Sequence, residues 1–251
     1  GDGPVVLLLP GSGSSVHTWR EFIPALARTH TVVALDLPGQ GFTQSPSGSR
    51  SGLNEMAADI AELLASEGWA PRAILSHSAG TAIALRLSQI IQVDKIVGIN
   101  PALDNFNGVA GWLFPLLARA LAFTPFTARL FASSATPARS RSLIIGTGST
   151  LDDDGYRFYY RLMRDRDHVN GALNMMARWS LDGLLGDLQS IKSDCLFLTG
   201  LRDKAVPPNV AQRAAGQMPH ARVVEFEGLG HLAHEEDASR TLAEIESFLA
   251  E

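Results

Sequence analysis

Three residues in this chain have the types and the order for nucleophilic chemistry: a serine, an aspartate and a histidine. Ser78 stands in Ala73-Ile74-Leu75-Ser76-His77-Ser78-Ala79-Gly80, where an apolar run meets small residues and then a helical pattern through Thr81, Ile83, Ala84 and Leu87. A serine at a sharp strand-to-helix corner projects its hydroxyl above the sheet edge, and its neighbours must be small for the turn to close. Gly80 supplies the second glycine of G-x-S-x-G, and Ser76 stands in place of the first. A serine hydroxyl is a weak nucleophile, so it needs a base within hydrogen-bond reach and a group that orients the base. Asp203, in Leu201-Arg202-Asp203-Lys204, and His231, in Gly228-Leu229-Gly230-His231-Leu232, each follow a strand-like run. Asp203 is expected to hold the imidazole tautomer, and His231 to take the Ser78 proton and return it to a leaving group. Asp104 is a rival for the acid, because it too follows a strand-like run.

The chain order Ser, Asp, His is that of the α/β-hydrolase layout. In that layout a developing oxyanion meets two backbone N–H donors. Here they are expected from Ala79, after the nucleophile, and from Ser12, in the loop Pro10-Gly11-Ser12-Gly13 that closes the first strand. Other motifs fall short. Gly11-Ser12-Gly13-Ser14-Ser15-Val16 lacks the third glycine of a dinucleotide fingerprint. Tyr156, Tyr159 and Tyr160 have no lysine four residues on, so no reductase pair is present. His231-Leu232-Ala233-His234-Glu235 matches neither H-E-x-x-H nor H-x-x-E-H, so His234 reads as structural. Neither a cofactor nor a metal is expected.

The elements that must position these residues alternate. Strands are predicted at Val5 to Leu9, Thr31 to Asp36, Ala73 to His77, Lys95 to Asn100, Cys195 to Thr199 and Arg222 to Phe226. Helical patterns separate them: Trp19, Phe22, Ile23 and Leu26; Leu53, Met56, Ile60 and Leu64; and, last, Leu242, Ile245, Phe248 and Leu249. Such alternation predicts a mostly parallel sheet with helices on both faces. Sites in these sheets lie at the carboxyl ends of the strands, where Pro10-Gly11-Ser12, Asp36, Ser78, Asn100 and Asp203 all fall. The alternation stops after Pro101. Residues 102–188 read as a helical cap inserted into a core of 1–101 and 189–251. Thr136-Pro137, Asp153 and Asp167 are expected to cap helices in it. Phe106, Trp112, Phe114, Met176, Trp179 and Leu232 are the candidate pocket lining.

Composition bounds the rest. Apolar residues make up 45% and charged residues 19%, as expected for a compact fold rather than a disordered chain. The net charge of −5, without a basic run, gives no sign of nucleic-acid binding. Residues 108–126 are the longest apolar stretch, but Pro115, Arg119 and Pro125 interrupt it, so it reads as buried or amphipathic helix rather than a membrane span. One cysteine, Cys195, sits in an apolar run and reads as a small core residue. A lone cysteine predicts a reducing, cytoplasmic setting.

These residues resemble the α/β-hydrolase superfamily along essentially the whole chain, with Asp36-Leu37-Pro38-Gly39-Gln40-Gly41-Phe42-Thr43 similar to its D-x-x-G-x-G-x-S segment. More narrowly, the chain resembles the magnesium-chelatase accessory hydrolases of bacteriochlorophyll biosynthesis, the 30 kDa subunit type. Leu37 to Thr43, His77-Ser78-Ala79-Gly80, Gly108-Val109-Ala110-Gly111, Ile145-Gly146-Thr147-Gly148-Ser149, Asp167-His168-Val169-Asn170-Gly171-Ala172-Leu173, Met175-Met176-Ala177 and Gly228-Leu229-Gly230-His231-Leu232-Ala233-His234-Glu235-Glu236 carry that likeness. Three departures stand out. Ser76 replaces a glycine, Pro10 replaces the histidine that commonly opens the oxyanion loop, and Val5 to Leu9 corresponds to the third strand of the full fold. The first hairpin is expected either outside this sequence or absent in nature.

Two functions follow as expectations. One is a serine hydrolase that cleaves an ester-like bond of a bulky apolar molecule; serine at the elbow argues against dehalogenase and epoxide hydrolase chemistry, which use aspartate there. The other, implied by the resemblance, is an accessory protein that holds a tetrapyrrole or contacts magnesium chelatase with the triad secondary.

Overall fold

In a computed structural model the described residues are 1–44, 50–104 and 127–251. Their elements in chain order are β1 (Val5–Leu9), a 3₁₀ turn (Val16–Trp19), α1 (Phe22–Leu26), β2 (Thr31–Ala34), α2 (Leu53–Ser66), β3 (Pro71–His77), α3 (Ala79–Leu87) and β4 (Lys95–Ile99). After the undescribed stretch come α4 (Thr127–Ser133), α5 (Pro137–Gly146), α6 (Asp153–Arg164), α7 (Arg166–Arg178) and α8 (Asp182–Gly186). The chain closes with β5 (Asp194–Gly200), α9 (Asn209–Ala215), β6 (Ala221–Phe226), α10 (Ala233–Glu236) and α11 (Ala238–Ala250).

The six strands form one parallel sheet in the order β2-β1-β3-β4-β5-β6. From β1 the chain steps outward to β2, then returns to place β3 on the other side of β1. The carboxyl ends of β1 and β3 therefore flank the point where the winding reverses, the usual place for a site in such sheets. The strands read as unbroken apolar runs because both faces are covered. Leu7, Leu9 and Ile74 face the side covered by α2, α3 and α9. Val6, Leu8 and Leu75 face the side where Trp19, Phe22, Ile245 and Phe248 pack. Cys195 lies in the first of these cores, and burial pushes its thiol up to about 12, so it is an inert core residue.

Helices α4 to α8 are inserted between β4 and β5. They do not form a separate body throughout. Met175, Leu181, Leu184 and Leu188 join the α2–α3 core, whereas Ile144, Leu151, Tyr156 and Tyr159 form a small cluster of their own with Leu232. Thr136 caps α5 by accepting from Arg139 N–H, with Pro137 at the first helical position. The next two caps differ from expectation by one and two residues. Asp152, not Asp153, accepts from Gly155 N–H; Asp165, not Asp167, accepts from the N–H groups of Asp167 and His168. Runs of neighbouring aspartates make each a valid cap in sequence, and backbone direction alone picks one. Among the described residues no helix is long and apolar enough to cross a membrane.

Candidate active site

Ser78 follows β3 directly and has φ 51° and ψ −119°, a left-handed backbone that a residue with a side chain adopts at a cost on the order of 1–3 kcal/mol. The surroundings hold it there. Ser78 N–H donates to Ile99 O at 2.9 Å, and Ser78 O accepts from Thr81 N–H and Ala102 N–H. The corner is tight enough that a Cβ at Gly80 would lie 2.5 Å from Pro10 O and 2.7 Å from Leu9 O, so α3 can run against the end of β1 only with glycine there. Ser76 is fully buried, and its hydroxyl donates to Val97 O at 2.7 Å. Its small side chain is thus accommodated and satisfied where the motif usually has glycine.

Ser78 Oγ lies 3.1 Å from His231 Nε2, and His231 Nδ1 lies 2.7 Å from Asp203 Oδ2. A carboxylate only accepts, so the proton sits on Nδ1 and Nε2 is free to accept from the serine. Asp203 is buried and saturated with donors. Asn100 Nδ2 reaches Oδ2 at 2.8 Å, while the N–H groups of Ala205 and Val206 reach Oδ1 at 2.8 and 2.9 Å. The rival Asp104 instead pairs with Arg213. Asn100, with φ 46°, is a second strained post-strand residue. Its position after a strand was legible in the sequence, but its role beside the carboxylate was not.

Ala79 is the first residue of α3, where N–H groups have no partner within the helix. Ser12 N–H makes no hydrogen bond among the described residues, and Ser12 Oγ is buried without a partner. Gly11, next to Ser12, lies against the corner: a Cβ there would stand 3.1 Å from Ser78 Cβ.

A layer of polar side chains behind His231 was not legible in the sequence. His77 Nε2 donates to His231 O at 2.9 Å, and its ring lies 4.8 Å from the His231 ring and 4.6 Å from that of His234. Burial, reinforced by the neighbouring His234 and His231, holds its pKa well below the usual 6.5. Beside it, Ser14 donates to Tyr159, and Tyr159 and Thr18 donate to Glu235 at 2.7 and 2.6 Å. His234 Nε2 donates in turn to Thr18 Oγ1 at 2.6 Å. Burial brings His234 down to about 3 and raises Glu235 above the usual carboxylate range.

Of the expected pocket residues, Phe106, Trp112 and Phe114 lie outside the described residues. Met176 is half-buried, Trp179 packs against the α2–α3 core, and Leu232 is buried with Tyr156 and Tyr159. Grooves of about 410 and 320 Å³ lie on the inserted helices, lined by Arg141, Arg157, Tyr160 and Arg161 among others, and neither is lined by Ser78, Asp203 or His231.

A family model described as the alpha/beta hydrolase fold matches residues 4–238. The chain belongs to the α/β-hydrolase family. This α/β-hydrolase is 44% identical over 235 residues to the magnesium-chelatase 30 kDa subunit of Rhodobacter capsulatus, an alignment that covers 93% of this chain and 82% of that protein. Among solved structures it resembles the enol-lactonase of Burkholderia xenovorans LB400, with a TM-score of 0.81 and 19% identity over 100% of this chain and 93% of that one. It also resembles an esterase of Exiguobacterium antarcticum, with a TM-score of 0.81 and 18% identity over 100% and 93% of the two chains. These last two likenesses establish the fold alone.

Proposed function

We propose that this α/β-hydrolase is a serine hydrolase of an ester-like, acyl-type bond, with Ser78 as nucleophile, His231 as base and Asp203 as orienting acid. The observation that carries the reading is the unbroken series Ser78 Oγ, His231 Nε2, His231 Nδ1, Asp203 Oδ2 at 3.1 and 2.7 Å, starting from a serine in a strained corner. Ser78 Oγ attacks the carbonyl carbon as its proton passes to His231 Nε2. Asp203 stabilises the imidazolium through Nδ1–H, and the N–H groups of Ala79 and Ser12 receive the negative charge on oxygen. The imidazolium then protonates the leaving alcohol, which departs and leaves an acyl group on Ser78. Water, deprotonated by His231, cleaves that ester and restores the enzyme. No cofactor enters these steps.

The substrate is proposed to be bulky and apolar, because the sequence of residues 105–126 is rich in Phe, Trp and Leu and follows closely on Ala102, whose N–H donates to Ser78 O. The likeness to a magnesium-chelatase subunit supports a second component of the reading. The substrate is a tetrapyrrole ester or a related molecule, and the chelatase is a partner. It also supports the alternative of a tetrapyrrole-holding protein with little turnover. Labelling by a fluorophosphonate probe separates the two. The hydrolase reading expects covalent modification of Ser78, lost in Ser78→Ala together with a roughly 10⁴–10⁶-fold drop in kcat on an activated ester. A protein that resists the probe yet quenches its tryptophan fluorescence saturably with a magnesium porphyrin is the holding protein instead.

A further inference from the structure

The loop after β1 has no regular structure of its own, yet it carries the Ser12 N–H that must stand still to meet an oxyanion. Gly13, next in the chain, is gripped on both sides. Its N–H donates to Gln40 Oε1 at 2.6 Å, and its carbonyl faces His168 Nε2 at 3.3 Å. The other nitrogen of that ring, Nδ1, accepts from Gly41 N–H at 2.9 Å. A backbone N–H can only donate, so Nδ1 is bare and the ring proton lies on Nε2, directed at Gly13 O. One neutral imidazole thus ties the loop after β1 to the loop after β2.

His168 comes from the first turn of α7, and the helix is built to bring it there. A Cβ at Gly171 would lie 1.8 Å from Gly39 O, so only glycine lets α7 settle onto the 39–41 turn. Asp165 caps the helix by accepting from His168 N–H. The other grip leans on the same helix: Gln40 is fully buried, with its amide nitrogen 3.2 Å from Met175 Sδ. A third tie reaches the loop from α6, where Tyr159 accepts from Ser14 Oγ at 3.2 Å.

We propose that His168, with Gln40, is a positioning residue: from the inserted helix α7 it holds Gly13 so that the Ser12 N–H points at the carbonyl oxygen of a bound acyl group. The inference rests on the hydrolase reading above. It makes the inserted helices part of the oxyanion device rather than only a cover over it.

The test compares the full-length wild type with His168→Phe, His168→Gln and Gln40→Met, by ester kinetics and by amide hydrogen exchange over residues 11–16. Phe keeps the ring and loses both hydrogen bonds. Gln keeps an amide N–H donor at the same distance along the side chain as Nε2, where it can reach Gly13 O. In His168→Phe we expect kcat to fall roughly 10–100-fold with KM within about threefold, since only transition-state contacts are lost. We expect exchange in the loop to quicken about tenfold or more. His168→Gln should recover kcat to within about fivefold of wild type. Wild-type kcat and exchange in His168→Phe would overturn the proposal. So would equal damage in His168→Gln, which would mean that the ring's shape matters and its hydrogen bonds do not. If His168→Phe does not fold, Gln40→Met tests the same grip from the other side of Gly13, with the same expected losses, and an unchanged loop there overturns it. A wild type without esterase activity sinks the hydrolase reading alone. The exchange data still judge the grip, and unchanged exchange in the variants refutes it.

Discussion

The two sides of the Ser78 corner are held in different ways. On the nucleophile side, position follows from the sheet: β3 ends, Ser78 turns into left-handed backbone, and Ile99 O of the neighbouring strand receives its N–H. A few bonds between consecutive elements suffice, because strand ends in a packed sheet have little freedom to move. On the Ser12 side the chain is loop, and its place is set by contacts distant in sequence: Gln40, Asp36 through Val16 N–H, His168 and Tyr159. The acid and histidine loops lie between these extremes. Their own turns shape them, yet Lys204 N–H donates to Thr147 O and Leu232 N–H to Ser149 Oγ, both in the inserted segment. Two of the inserted segments that carry the likeness, 145–149 and 167–173, thus touch the loops around the site. In the proposed mechanism the nucleophile, fixed by the sheet, should tolerate change in the inserted helices, and the oxyanion loop, fixed by those helices, should not.

The largest effect that would sharpen this contrast lies on the nucleophile side. Asp203→Asn should reverse the imidazole tautomer and lower kcat about 10⁴-fold, whereas Asp104→Asn should stay within about threefold, because its partner is Arg213 on the surface. Equal losses in ester kinetics would move the acid away from Asp203.

Acid should act on the layer behind His231. His77 and His234 are buried and neutral, with folded pKa values below the unfolded 6.5, that of His234 at about 3. Below pH 6.5 the unfolded chain therefore binds protons that the folded chain refuses. The stability these groups contribute is complete above pH 6.5 and lost as pH falls toward their folded values. These two groups cost about 3 kcal/mol per pH unit in that window, and His17, brought down to about 4 by burial, and His168, also lowered by burial, add to the decline. Glu235, raised by burial, works the other way, but it is a single group. Urea unfolding at pH 7.5, 6.5 and 5.5 should show the decline, and His234→Gln should flatten it by about one proton; a flat profile in the wild type would contradict the burial argument.

On the oxyanion side, Gly171→Ala must push α7 off Gly39 O. It should cost about 1–3 kcal/mol in urea unfolding and slow kcat by roughly tenfold, with fluorophosphonate labelling of Ser78 still detectable. A wild-type kcat would mean that α7 can withdraw without moving the loop. The smallest effect belongs to Ser76→Gly, which restores the usual motif and loses the buried hydroxyl's contacts with Val97 O and Thr81 Oγ1, about 1–2 kcal/mol, with activity kept. Ser76→Leu, forced into a fully buried corner, should cost about 1–3 kcal/mol more, measured by thermal or urea unfolding.

The strands, the elbow, the order Ser78, Asp203, His231 and the inert Cys195 could all be read from the sequence. Each is a local signal: an apolar run long enough for one strand, a change of period, a cluster of small residues. The family could be read for the same reason, since its motifs are short and contiguous. What folding alone decided is which distant groups meet. Asp203 and Asp104 both follow strands, and only the packed structure aims the first at His231 and turns the second toward Arg213. His77, Gln40 and His168 stand in segments that carry the likeness, but neither these segments nor the sequence around Tyr159 names a partner, because a hydrogen bond across 127 residues, as between Gly41 and His168, leaves no trace of its other end. Gly171 is the nearest thing to such a trace: a glycine inside a helix is locally unfavourable, and the Gly39 carbonyl against which it packs is the physical reason for it.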